Sequence, residues 1–356
     1  MASLFRRRFL VREAAIHNYR HLSEQAPAIS VNTPARTLPW AFCFLLAAAV
    51  LCGAQVPKPP WASGASAKAA NAPASDQTSS IKVDVKLVNV FVTVTDPHGA
   101  PVAGLKKQDF TLLEDGAPQT ISIFDKESAL PLSIILAIDT SLSTRKDMSL
   151  ELNSARRFAH TILRPVDGLS LYEFSEVVNE IVPFTADLKT IDRGIEHPRL
   201  GAATALYDAI YLSSRALEKR QGRKVLVIIT DGGDTVSQAD YKQAVRAAQE
   251  AEAIVYPIID VPVEASAGRD TGGEHALIQI SEDTGGKYYY ATSVAELDAA
   301  FRKISDELRT QYLLAYYPSQ RYSSSDFRRI QVKVDGDDSG YSVHNRTGYY
   351  TTKSSF

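Results

Sequence analysis

The hydrophobic period of this chain changes twice, and those changes limit what it can fold into. Residues 81–96, IKVDVKLVNVFVTVTD, alternate apolar and polar side chains with the period of two of a half-buried strand. From Pro131 to Arg309, short apolar runs alternate with helical stripes. After Arg309 the period of two returns. The runs of the middle block are 132–138, 169–174, 180–184, 224–230, 254–259 and 287–290. Between them, Met148, Leu152, Ala155, Ala159 and Ile162 fall on one helical face, with Pro165 as the stop. Leu206, Ala209, Ile210, Ser213 and Leu217 form a second stripe, and Tyr241, Ala244, Val245, Ala248 and Ala251 a third. A fourth, Val294, Leu297, Phe301, Ile304 and Leu308, opens on the capping-box pair Ser293 and Glu296. Apolar strands alternating with helices predict a mainly parallel sheet covered on both faces, a doubly wound α/β fold.

The flanks read as β-structure. Before the block, 81–96, 109–114 and 119–124 are strand candidates, punctuated by Pro97, Gly99, Pro101 and Asp115-Gly116. After it, 312–317, 327–334 and 341–350 follow. About three strands on each side are too few to close a sandwich alone. The expectation is one β-sandwich made from both flanks, 81–128 and 311–352, with the α/β unit, 129–310, inserted between its halves.

The N-terminal part reads differently. Residues 1–54 hold six Arg and two Glu, a net +4, which leaves −6 for the rest of a chain whose formal charge is −2. A basic leader precedes WAFCFLLAAAV at 40–50, and small residues run up to Ala54. This is a signal-peptide pattern, with a retained N-terminal anchor as the alternative. The Pro-, Ala- and Ser-rich tract 55–80 reads as a disordered linker. The expected location is therefore extracytoplasmic: periplasmic, cell-surface or secreted. Both cysteines, Cys43 and Cys52, lie in the leader, so a processed chain has no disulfide, no thiol nucleophile and no Cys-ligated zinc. The mildly acidic body argues against nucleic acid as the main partner.

The chemistry concentrates where the apolar run 132–138 ends in Asp139, Ser141 and Ser143. In an open α/β sheet, polar groups just beyond the strand ends form the floor of a ligand site. A carboxylate and two hydroxyls are hard oxygen ligands, suited to Mg²⁺, Mn²⁺ or Ca²⁺. D-x-S-x-S alone is also ordinary turn and helix-capping chemistry.

Two further segments add to it: Gly201-Ala202-Ala203-Thr204-Ala205-Leu206 and Val227-Ile228-Ile229-Thr230-Asp231-Gly232-Gly233. In this order and at these separations, the three segments resemble a von Willebrand factor A domain with a complete metal-ion-dependent adhesion site, over about residues 129–310. The flanks, with Pro101 to Leu105, Asp109-Phe110 and Glu114-Asp115-Gly116 before the block, are similar to bacterial von Willebrand factor A-related proteins. So are Tyr312 to Tyr316 and Arg346-Thr347-Gly348-Tyr349-Tyr350 after it. The resemblance implies that Ser141 and Ser143 bind the ion through their hydroxyls. Thr204 would do so directly or through water, while Asp139 and Asp231 hold coordinated waters or switch to direct contact. It also implies an open ligand position for an acidic side chain of a protein partner. Each position keeps an ordinary reading: Asp139 as a capping residue, Thr204 as the N-cap of the following helix, Asp231 as a turn. Asp208, one helical turn after Thr204, reads as supporting the site or the fold and not as a ligand.

No other chemistry competes in the sequence. The seven histidines lack zinc spacing, and neither G-x-S-x-G nor a P-loop occurs. A strand-end Asp beside hydroxyls superficially resembles haloacid dehalogenase phosphatases. Those need a second carboxylate where this chain has Ser141, so no enzymatic activity is expected. The leading expectation is an exported, divalent-ion-dependent adhesion module. A metal-independent structural or assembly protein is the alternative, and a phosphatase-like hydrolase a weaker one.

Overall fold

The computed structural model describes residues 87–126, 130–142, 148–260, 271–319, 326–334 and 340–351. The leader, both cysteines and the linker lie outside these residues, as do Ser143 and residues 261–270. Among the described residues, no helix is long and apolar enough to cross a membrane.

The chain opens with β1 (Val88–Thr95), β2 (Phe110–Glu114), the two-residue β3 (Ala117–Pro118) and β4 (Ile121–Lys126). The α/β unit follows: β5 (Leu132–Asp139), α1 (Met148–Ile162), β6 (Gly168–Phe174), β7 (Val178–Thr185), α2 (Leu188–Ile195), α3 (Leu206–Glu218), β8 (Arg223–Thr230), α4 (Tyr241–Ala251), β9 (Ala253–Asp260), α5 (Thr271–Thr284), β10 (Tyr289–Ala291) and α6 (Val294–Thr310). The last strands are β11 (Tyr312–Tyr316), β12 (Phe327–Val334), β13 (Ser342–Asn345) and β14 (Gly348–Tyr350).

The two flanks build the sandwich jointly. One antiparallel sheet has the order β13-β1-β11-β4, the other β14-β12-β2-β3. β1 pairs with β11 in the register Val90↔Leu314, and β2 with β12 as Leu112↔Val332. Strands some 200 residues apart in sequence therefore share every central ladder, and neither flank can close a sheet without the other. Val90, Val92, Leu112, Leu314, Tyr316 and Val332 meet between the sheets. Alternation alone predicts one solvated face for β1, but Thr93 and Thr95 on its other face are buried as well. The α/β unit covers that face: Phe91 packs against its core, and Thr93 accepts a hydrogen bond from the Gln311 amide.

Two further differences have local causes. The expected strand at 341–350 is two strands in different sheets, because the chain crosses between sheets at Arg346-Thr347. There the buried Arg346 guanidinium donates to the Asn89 carbonyl, 2.6 Å away. The capping box at α6 is half formed. Ser293 accepts the Glu296 amide, but the Glu296 carboxylate takes the amide and hydroxyl of Thr292 instead of the Ser293 amide.

The central sheet runs β10-β9-β8-β5-β6-β7, parallel except for β7. All eight residues of β5 are buried, as a strand covered on both faces requires. α1, α2 and α6 pack on one face; α3, α4 and α5 cover the other. The periodicity passes over α2 and α5. α2 has only Ile191 and Ile195 as anchors and contains Gly194, where a Cβ would stand 2.3 Å from a Val182 methyl. α5 carries Gly272-Gly273 in its first turn, a pair that breaks the helical stripe in the sequence. A Cβ at Gly273 would lie 1.4 Å from the Gly232 carbonyl oxygen, so only glycine lets this helix start so close to the end of β8. From β5 the chain moves to β6 on one side; from β8 it moves to β9 on the other. The C-terminal ends of β5 and β8 are thus the switch point of the sheet, where open α/β sheets bind ligands.

Candidate functional site

Asp139 is the last residue of β5 and is 1% exposed. Its Oδ1 accepts the Ser141 backbone N–H at 2.9 Å, and its Oδ2 accepts the Thr230 hydroxyl at 2.7 Å from the neighbouring strand. Burial dominates its ionisation and pushes the carboxyl up to about 6. The Ser141 and Thr230 donors pull it back, while the nearby Asp231 carboxylate pushes it further up. An ionised carboxylate here is held by neutral donors beside a second carboxylate, a setting that a cation would relieve.

Backbone hydrogen bonds join the loops that carry the other predicted residues. Ser141, buried, bridges Gly201, whose N–H donates to the Thr140 carbonyl at 3.1 Å. The Thr140 N–H and hydroxyl both donate to the Phe174 carbonyl, which ties this loop to the end of β6. Ala205 N–H donates to the Ser175 carbonyl at 2.7 Å. Thr204, buried, donates its N–H to the Thr235 hydroxyl at 2.9 Å, and its carbonyl accepts the Thr235 N–H at the same distance. Asp231 follows directly on β8. Gly232 then turns the chain with φ +100° and donates its N–H to the Thr230 hydroxyl. Asp139, Ser141, Thr204 and Asp231 therefore stand on three interlocked loops at the C-terminal end of the central strands. Ser143, the remaining predicted ligand, lies outside the described residues.

Thr204 is not the N-cap of α3; Ala205 occupies that position. Asp208 is engaged by the loop after β8. Its carboxylate accepts the N–H groups of Gln238 and Ala239, and its own N–H donates to the Ser237 hydroxyl. It braces the loop after β8 against α3, helped by Asp234, which accepts the Tyr207 N–H and the Ser237 hydroxyl.

Several residues that sequence reasoning passes over matter here. Thr230 and Thr235 read as strand and loop filler. Glu176 accepts the Ala202 N–H at 2.6 Å, and that hydrogen bond holds its carboxyl below the usual range. Gly201 is obligatory, since a Cβ there would fall within 2.5 Å of Glu176 and Ser175 side-chain atoms. Only the position of Thr230 at a strand end, next to a motif aspartate, could have marked it.

Among the described residues, no three His, Cys, Asp or Glu side chains gather as a metal-binding group. The oxygen-bearing residues at this end of the sheet are instead two carboxylates with Ser and Thr hydroxyls, all hard oxygens. That set fits Mg²⁺, Mn²⁺ or Ca²⁺ and not a soft metal.

A family model for the von Willebrand factor type A domain matches residues 134–233. No curated protein matches the chain. Among solved structures, the conserved hypothetical protein BatB from Bacteroides thetaiotaomicron is similar at 22% identity and TM-score 0.41, over 50% of this chain and 100% of that one. A von Willebrand factor type A protein from Catenulispora acidiphila aligns over 76% of this chain and 75% of its own, at 11% identity and TM-score 0.45. The von Willebrand factor domain of the type V pili tip protein Mfa5 from Porphyromonas gingivalis covers 50% of this chain and 95% of its own, at 11% identity and TM-score 0.40.

Proposed function

We propose that this chain, which contains a von Willebrand factor type A domain, is a divalent-ion-dependent protein-binding module that grips an acidic side chain of a partner. The observation that carries this reading is the buried Asp139 carboxylate at the switch point, with Ser141, Thr204 and Asp231 on loops at the same end of the sheet.

Ser141 and Thr204 would hold the ion through their hydroxyls, and Ser143 would complete the set. Asp139 and Asp231 would hold it directly or through water. The bound ion supplies a concentrated positive charge with a position left for an outside carboxylate. The protein's part is to position and orient. The Thr230 hydroxyl and Ser141 N–H fix the Asp139 carboxylate, and the Thr235 pair fixes Thr204. Asp208 and Asp234 keep the loop after β8 in place. The role is binding and not catalysis, because Ser141 stands where a phosphatase-like mechanism would need a second carboxylate. The basic leader and apolar run at 40–50 support an extracytoplasmic location.

Thermal melts in EDTA, Mg²⁺, Mn²⁺ and Ca²⁺ test the ion. A ligand that binds only the folded state raises Tm by mass action, by about 2.7 kcal/mol of stability at a hundredfold excess over Kd. Wild type should shift with at least one ion and Asp139→Ala should not. Identical melts in all four conditions overturn the reading. A crystal soaked in Mn²⁺ should give anomalous density within reach of Ser141 and Thr204.

A further inference from the structure

A cleft of about 1110 Å³ lies between α4 and the outer face of the sheet β14-β12-β2-β3, and no residue of the ion site lines it. Small-molecule sites usually enclose roughly 300–1,000 Å³, so this space admits a ligand of several linked rings. Both walls present side chains. Leu113 on β2 and Phe327, Arg329 and Gln331 on β12 alternate with the residues that fill the sandwich core. Gln249 faces them from α4. Tyr350 packs edge to face with Phe327 at 5.0 Å, and the Arg246 guanidinium lies 4.4 Å from the Tyr350 ring centroid.

The fold leaves three planar polar groups of this cleft unanswered. Gln249 is only 5% exposed, yet its amide N–H reaches the Asp283 carbonyl at a long 3.5 Å and its own carbonyl oxygen accepts no hydrogen bond. Buried amides are normally answered by a partner, and this one lines the cleft. Among the described residues, the Arg329 guanidinium and the Gln331 amide make no hydrogen bond or ion pair. The two carboxylates of the cleft are engaged instead. Asp115 accepts the Arg329 N–H at 2.9 Å, and Asp283 accepts the Gln279 amide and the Thr347 hydroxyl.

Amide and guanidinium groups carry several hydrogen-bonding atoms in one plane. That arrangement matches neighbouring hydroxyls, which donate and accept at fixed spacing. Phe327, Tyr350 and Leu113 beside them match the C–H face of a sugar ring. Two carboxylates against one uncommitted guanidinium oppose phosphates and polyanions. An extended peptide added to a sheet takes its main hydrogen bonds from a free strand edge, whereas these walls are a sheet face and a helix side. We propose that the cleft binds a neutral oligosaccharide, held by Gln249, Arg329 and Gln331 against Phe327 and Tyr350. This goes beyond the ion-dependent reading and does not rest on it.

A glycan array of neutral and uronic-acid oligosaccharides, probed with the full chain, tests the proposal, and isothermal titration calorimetry measures the best ligand. Neutral oligosaccharides should bind, with affinity unchanged by EDTA or by Asp139→Ala. Arg329 and Gln331 are exposed on a strand face. Arg329→Met and Gln331→Leu should each weaken binding about tenfold, the worth of one or two hydrogen bonds, at unchanged Tm. Gln249→Leu should weaken it as much without lowering Tm, because it removes an unanswered buried amide. If that variant does not fold, the two β12 variants decide. No binding of any neutral oligosaccharide up to millimolar concentration overturns the proposal, as does full affinity in the β12 variants. Binding of acidic glycans alone overturns it too. So does displacement of the sugar by a nonapeptide of alternating Ser and Val, which would make the cleft a peptide groove. Loss of sugar binding in EDTA would move the sugar to the ion site and equally overturn it. The ion reading is judged separately, by the melting shift of wild type in Mg²⁺.

Discussion

Thr230 and Asp139, the last residues of two neighbouring parallel strands, meet through a 2.7 Å hydrogen bond from hydroxyl to carboxylate. This contact orients the most buried acid of the site from the other side of the switch point. Thr230→Val keeps the shape and removes the donor. A buried acceptor that loses a donor costs about 1–3 kcal/mol. Urea denaturation without added metal should show a loss in that range, and Mg²⁺ should bind more weakly.

Asp139→Asn should act in the opposite direction in EDTA. The folded-state pKa of about 6 lies above the ordinary 3.8. The stability linked to the proton is therefore complete below about 3.8 and is lost as pH rises through about 6. At pH 7 the wild type carries a penalty of up to about 3 kcal/mol, at 1.36 kcal/mol per pH unit. The Asn variant should thus be more stable than wild type at pH 7 by about 1–3 kcal/mol. That difference should shrink as pH falls towards 4, and the variant should show no ion-induced melting shift.

Asp167 gives the reverse sign. Its carboxylate accepts the Leu132 N–H, the Arg164 N–H and both Arg164 side-chain donors, all at 2.8–2.9 Å. Its burial works against ionisation, but these donors outweigh it and hold the carboxyl below its ordinary value. The stability it contributes is present above the unfolded-state pKa and disappears as pH falls through the folded one. Asp167→Asn should lose about 2 kcal/mol at pH 7, typical for hydrogen bonds to a charged group. Acid titration followed by circular dichroism should show the two proteins converging below about pH 4.

Gly273→Ala places a methyl group against the Gly232 carbonyl, which is backbone on both sides and cannot swing away. The start of α5 or the loop carrying Asp231 must move. A loss of about 2–4 kcal/mol in denaturant unfolding is expected, as for other forced clashes. The Mg²⁺ melting shift should fall with it. An unchanged shift would mean that this loop takes no part in holding the ion.

Arg328→Met tests the sandwich. Glu114 is buried on β2, with Arg328 on β12 ion-paired to it and the Tyr316 and Tyr349 hydroxyls donating to it. Removing one partner of a buried ion pair costs about 3–5 kcal/mol. Limited proteolysis should then cut both flanks sooner, because β2 and β12 come from opposite ends of the chain and share one ladder.

The sequence by itself determined what local periodicity can encode. Continuous burial of 132–138 meant a central strand, the helical stripes meant cover on both faces, and alternation in the flanks meant antiparallel strands. Asp139 and Asp231 were legible for the same reason, since a strand end is marked where an apolar run stops; Thr204, in the loop before α3, was marked only by the resemblance of the three ordered segments. Tertiary structure alone decided which distant group answers each polar atom. Thr235 partners Thr204 from 31 residues away, Gly232 needs Gly273, and Arg346 crosses between sheets to reach Asn89 from 257 residues away. Burial repeats along a chain and leaves a pattern there, whereas a hydrogen-bond partner chosen by three-dimensional packing leaves no period to read.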